Sequence, residues 1–201
     1  GQGEPYKVYT PFSRACLAAG EPKSLRPVPQ VEHWGGTLRS DALAGWQLLP
    51  SKPNWARGFE TLWQPGEEGA RARLADFIDD GLAHYADERD VPARDVTSRL
   101  SAHLHFGEVS PAQCWHAVRA AQGRSGGRLD GAAEKFLKEV LWREFSYHLL
   151  HHWPHLPERP FRSGFADFPW TDDPVGLAAW QRGMTGYPIV DAGMRELWHT
   201  G

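Results

Sequence analysis

The sequence predicts a mainly α protein, and three observations carry that expectation. After Gly69, apolar residues recur at the three- and four-residue spacing of buried helix faces. Prolines stand at expected helix starts, in Ser110-Pro111, in Asp173-Pro174 and at Pro188. An apolar fraction of 41% over 201 residues supports a packed core of ordinary domain size.

Taken from the N-terminus, Tyr6 to Phe12 is β-branched and aromatic and ends at a proline, which predicts a short strand running into a loop. Residues 21–68 are rich in Pro, Gly and Trp with little periodicity. They predict an interdomain linker with one helical turn near Asp41 to Leu49, because a loop this long is unusual inside one compact domain. Leu74, Phe77, Ile78, Leu82 and Tyr85 share one helix face. Ser110 caps a helix that continues through Ala121, and Gly123 to Gly131 forms a flexible loop. Ala132 to Trp153 is the longest helix, with Leu137, Leu141, Phe145 and Leu149 in a row four apart. Asp173 caps a helix to about Met184, and Pro188 opens a last one to His199.

Bulk chemistry excludes more than it assigns. A formal charge of -3 gives no sign of nucleic-acid binding, so such a role has to rest on a local basic and aromatic patch. Ten tryptophans exceed what packing alone recruits, and an indole offers both a stacking face and an N–H donor. Cys16 and Cys114 stand far apart in no metal or redox pattern, and read as two free thiols in a reducing, cytoplasmic compartment. No stretch approaches 18 consecutive apolar residues, so no membrane span is expected. The chain opens Gly1-Gln2-Gly3 without an initiator Met and stops at Thr200-Gly201, and both ends look cut.

Three constellations could carry chemistry. Thr97-Ser98-Arg99-Leu100-Ser101 gathers three hydroxyls and a guanidinium where a loop meets a helix, which suits a phosphate; the plain alternative is a capped helix start with a solvated Arg. Glu139, Trp142 and Arg143 share a helix face away from the Leu137/Leu141 row. A stacking plate beside an acceptor and a donor fork is what a flipped base needs, while the alternative is a surface Glu–Arg pair with a packed Trp. His148, His151, His152 and His155 include ligand-like spacings, but Pro154 breaks the helix and no cysteine is near, so no metal is expected. Gly123-Arg124-Ser125-Gly126-Gly127 matches a nucleophile-elbow pattern formally, but no apolar strand precedes it.

Read in order, these segments resemble the DNA photolyase and cryptochrome family. The carrying residues are Tyr85, the run Thr97 to Ser101, Leu104-His105-Phe106-Gly107-Glu108-Val109-Ser110-Pro111, Phe136 to Phe145 with Glu139 and Trp142-Arg143, and Gly186-Tyr187-Pro188-Ile189-Val190-Asp191-Ala192-Gly193-Met194-Arg195. The resemblance, of the class I-like deoxyribodipyrimidine photolyase kind, covers about residues 66–201. It implies that residues 69–201 are the N-terminal half of a helical FAD-binding domain, and 1–20 the remnant of an α/β antenna domain ending in its last strand.

The resemblance also implies roles. Tyr85, Thr97, Ser98, Arg99, Leu100 and Ser101 would bind FAD, the run holding its phosphates, and Phe136 would lie against the cofactor where the family often has Trp. Glu139, Trp142, Arg143 and Ser146 would line the cavity for a damaged pyrimidine pair, and Arg89 would approach the DNA backbone. Trp170 would be the outermost member of an electron-relaying tryptophan chain whose inner partners lie beyond Gly201. The implied reaction is light-driven repair of pyrimidine dimers in DNA by reduced FAD, acting in a monomer; the alternative is a cryptochrome photoreceptor with the same cofactor and no repair. An antenna pigment such as a folate or deazaflavin would belong to a domain this chain lacks. The 201 residues alone are expected to hold FAD weakly or not at all, and to expose an apolar face.

Overall fold

The computed structural model describes residues 3–32, 35–36 and 39–201, and every element in them is helical or a turn. The described residues within 1–26 and 65–168 form one compact unit, and those within 27–64 and 169–201 form another. This division cuts across the expected 1–20, 21–68 and 69–201, and four residues of the expected linker, 33, 34, 37 and 38, lie outside the described residues.

The first unit is built on α6 (Asp130–His152). Ala133, Phe136, Leu137, Val140, Leu141 and Phe145 bury its inner arc, at the recurring three- and four-residue spacing of a helix face. Against it pack α5 (Pro111–Arg124), α3 (Tyr85–Glu88) and α1 (Tyr9–Ala18). Helix α5 starts at the Ser110 cap with Pro111 in the first turn, as the sequence predicts; Ser110 Oγ accepts from Gln113 N, and the Gln113 side chain accepts from Ser110 N, a capping box beyond that expectation.

The expected strand at Tyr6 to Phe12 is not formed. Residues from Tyr9 onward are helical, because Tyr9, Phe12 and Cys16 have the i, i+3, i+7 spacing that lays one face on α6. Phe12 is buried against Phe145, with ring centroids 5.2 Å apart. Pro11 is harmless there, since the first turn of a helix has no partner for its N–H groups. The α/β remnant expected at 1–20 is therefore represented by a helix and not by a strand.

The face of Leu74, Phe77, Ile78, Leu82 and Tyr85 is buried as expected, Ile78 only in part, but the helix is broken. After α2 (Glu67–Asp76) the chain widens to a π-turn at Phe77–Gly81 and tightens to 3-10 geometry at Leu82–His84. Gly81 is required at the bend: a Cβ there would stand 2.9 Å from the Phe77 ring and 3.1 Å from the Val96 carbonyl. A short helix α4 (Ser101–Phe106) follows the hydroxyl run and ends at Gly107, whose φ of 73° is left-handed.

In the second unit, α7 (Pro174–Gln181) is capped by Asp173, whose carboxylate accepts from Gly176 N at 2.8 Å. In the first turn of α8 (Pro188–Thr200), buried Asp191 accepts from Thr185 N, Thr185 Oγ1 and Gly186 N, which precede the helix, at 2.6–3.0 Å. Trp63 Nε1 donates to Thr200 O at 2.6 Å, so the chain before residue 65 packs on the end of α8 as well as linking elements. Val175, Tyr187, Ile189 and Trp198 are exposed on this unit. Among the described residues no helix is long and apolar enough to cross a membrane.

Candidate functional site

The residues singled out on α6 occupy the margin between its buried arc and solvent. Glu139 Oε1 accepts from Arg89 Nη1 at 2.5 Å, and the same nitrogen lies 3.3 Å from the Tyr85 hydroxyl. The Arg89 guanidinium also lies over the Tyr85 ring at 5.4 Å. Arg89 is held more firmly protonated than usual, first by its hydrogen bond to Glu139. Burial pushes the Tyr85 hydroxyl up, with Arg89 opposing. The pair joins the two segments the sequence marked separately, the 85–89 turn and α6.

One turn on, Trp142 is 45% exposed, which leaves indole surface open beside Glu139. Arg143 Nη2 donates to Leu104 O at 3.2 Å and to the Tyr147 hydroxyl at 3.3 Å, so its fork is braced by α4 and by its own helix. Ser146 is exposed, and its hydroxyl donates back to Trp142 O at 3.0 Å. Arg89, Glu139, Trp142, Arg143 and Ser146 thus lie in or beside one exposed helix face, carrying one carboxylate, two guanidinium groups and an indole.

Arg143 also ties this face to the hydroxyl run, because Leu104 on α4 donates its N–H to the O of Leu100, the residue that opens that helix, at 2.8 Å. Thr97 and Ser101 are exposed and Ser98 half-buried, while Leu100 is fixed in the core at 2% exposure. Arg99 takes a left-handed φ of 49°, unusual for a residue with a side chain, and its guanidinium pairs with Asp95 at 3.1 Å. That pair is exposed on both sides and worth little in water. The guanidinium and the neighbouring hydroxyls are a donor set of the kind that suits an anion such as a pyrophosphate.

Phe136 and Tyr85 are core residues. Phe136 is 5% exposed, its ring 4.7 Å from Phe77 and 5.5 Å from Tyr85 between centroids. Trp170 belongs to the second unit and is 82% exposed.

Three features went unread in the sequence. The first is Tyr9, whose ring lies parallel to the Trp142 indole at 3.7 Å and 5°; its helical spacing with Phe12 and Cys16 was the available signal. The second is buried His103, whose Nδ1 lies 2.6 Å from Glu108 Oε2 while Glu108 Oε1 accepts from Gly66 N at 2.8 Å. The third is a cavity of about 790 Å³ lined by Leu43, Leu48 and Leu49 among others, none of them a candidate residue. Around the histidines, His148 Nε2 accepts from Tyr6 N at 3.0 Å, and His152 is held below its usual pKa by desolvation and its histidine neighbours. Among the described residues no group of three or more His, Cys, Asp or Glu is arranged to hold a metal ion.

Comparison with known proteins places this geometry in context. Residues 136–201, which include most of α6 and all of α8, match the family model of the FAD binding domain of DNA photolyase. The chain is 48% identical to a deoxyribodipyrimidine photo-lyase of Agrobacterium fabrum over 99% of its own length and 41% of that protein. It is similar to the crystal structure of a class III photolyase from Agrobacterium tumefaciens, with a TM-score of 0.91 at 47% identity, over 100% of this chain and 41% of the other. A cryptochrome from Synechocystis gives a TM-score of 0.61 at 33% identity, over 70% of this chain and 29% of the other. The chain spans about two fifths of the length of the curated relatives it matches.

Proposed function

Because the chain belongs to the DNA photolyase and cryptochrome family, we propose that it forms part of a light-driven, FAD-dependent enzyme that repairs pyrimidine dimers in DNA. The observation that carries this reading is the exposed Trp142 indole beside Glu139, with Arg89 bonded to that carboxylate. An extruded base needs a flat apolar surface to stack on and a polar group for its hydrogen-bonding edge, and this face offers both.

In this reading Trp142 stacks on the base and Glu139 accepts from its N–H groups. Arg143 and Ser146 border the same face. Arg89 orients Glu139 and contributes positive charge toward the DNA backbone. Thr97, Ser98 and Ser101 hydroxyls and the Arg99 guanidinium would hold the cofactor pyrophosphate, with Leu100 anchoring the run in the core. Tyr85 would border the cofactor, and Phe136, with almost no open face, would support Tyr85 and Phe77 from behind. The bound flavin would supply the light-driven electron; the chain's own residues bind, orient and exclude water. Trp170, exposed at the surface, would be the outer end of an electron relay to the flavin. An antenna pigment, folate or deazaflavin, would be held outside these residues. Two unpaired cysteines suit a reducing compartment, so the reading includes a cytoplasmic, monomeric enzyme with damaged DNA as its partner.

The similarity to a cryptochrome keeps a photoreceptor without repair activity as the second reading. Light-dependent splitting of thymine dimers by the full-length protein, compared with Trp142→Ala, distinguishes them. Repair that falls sharply in the variant supports the enzyme; absence of repair in the flavin-loaded wild type supports the photoreceptor.

A further inference from the structure

The Trp142 indole has two faces, and the fold uses one of them. Tyr9 lies parallel to it, 3.7 Å between ring centroids and 5° between planes. Phe145 meets both rings edge-on, 6.0 Å from Trp142 and 5.9 Å from Tyr9. Tyr9 is itself fixed: its hydroxyl donates to Lys138 O at 3.0 Å, one residue from Glu139, and its helix packs on α6. Trp142 nevertheless remains 45% exposed, so the surface away from Tyr9 stays open.

We propose that Tyr9 is a positioning residue for lesion binding: by backing one face of Trp142 it fixes the indole plane, so that an extruded pyrimidine meets a preset stacking surface on the other. This rests on the reading of Trp142 as the base-stacking residue. The physical reason is preorganisation. An indole at the margin of a helix has rotamers that swing its plane, and a base binding to a mobile plate has to freeze it at a cost in affinity. A parallel aromatic partner removes that freedom beforehand and is worth a few-fold to about tenfold in binding. Of the two aromatic residues whose rings meet Trp142 among the described residues, Phe145 lies on the same helix and edge-on, while Tyr9 comes from another helix with its ring parallel to the indole.

The test uses the full-length protein, flavin loaded, with a duplex carrying a single cyclobutane thymine dimer and the same duplex undamaged. Tyr9→Leu is expected to weaken binding of the damaged duplex by about 3- to 10-fold. Binding of the undamaged duplex stays unchanged, and Tyr9→Phe, which keeps the ring, restores the wild-type value. In a Trp142→Ala background Tyr9→Leu is expected to have no further effect on damaged-duplex binding. That cycle holds even if Tyr9→Leu lowers the melting temperature, because a general structural defect weakens both backgrounds equally, and equal loss in both overturns the proposal. Wild-type affinity in Tyr9→Leu, with Trp142→Ala still impaired, overturns it and leaves the stacking role intact. Wild-type affinity in Trp142→Ala overturns the stacking role and the proposal with it.

Discussion

Arg89 Nη1 stands 2.5 Å from Glu139 Oε1, the side chains being 23% and 35% exposed. One guanidinium therefore holds the carboxylate that stands one helical turn from Trp142 on α6, and it does so from a different segment of the chain. A half-buried charge pair of this kind is costly to break from one side, because the other charge is left under-solvated.

If Arg89 also neutralises a DNA phosphate, Arg89→Gln should weaken binding of damaged and undamaged duplex alike. The plot of log affinity against log salt concentration should flatten by about 0.9. Loss confined to the damaged duplex, with the slope unchanged, would limit Arg89 to orienting Glu139. Fluorescence anisotropy at several salt concentrations separates the two.

Phe136 fills the space between Phe77 and Tyr85 at 5% exposure. Phe136→Ala should destabilise the protein by about 3–5 kcal/mol, the range for truncating a buried aromatic ring. Urea unfolding measures it, and a loss below about 1 kcal/mol would mean that the surroundings collapse onto the gap.

Two carboxylates predict acid sensitivity. His103, then the Gly66 N–H, hold Glu108 below its ordinary value of 4.5, and hydrogen bonds led by the Thr185 hydroxyl hold Asp191 below 3.8. With folded values depressed, the unfolded chain binds more protons in this range, so the stabilisation is complete above the ordinary values. It is lost as the pH falls through the lowered ones. Melting temperatures from about pH 6 to about pH 3 should fall less steeply in Glu108→Gln than in wild type.

Cys114 is fully buried, and burial pushes its thiol up to about 11, which leaves almost no thiolate at neutral pH. Mass mapping after treatment with a thiol reagent should find Cys114 unlabelled in the folded protein and labelled once urea is added. Labelling of Cys114 in the native state would contradict its packing.

Much of this was legible in one dimension because it depends on neighbours in sequence. Helix α6, the capping box at Ser110 and Gln113 and the Asp173 cap follow from local spacing, as does the buried row Leu137, Leu141 and Phe145. So does the shared face of Glu139, Trp142 and Arg143, since residues three and four apart on a helix are neighbours wherever that helix goes. What tertiary structure alone decided is which partner each residue meets: Arg89 for Glu139, Leu104 O for Arg143, and Tyr9 for Trp142. The aromatic and β-branched run before Pro11 satisfies a strand pattern by itself, yet from Tyr9 the chain is helical and buries Phe12 against Phe145. Local propensity is weak beside the burial of a ring, and that burial depends on contacts more than a hundred residues away.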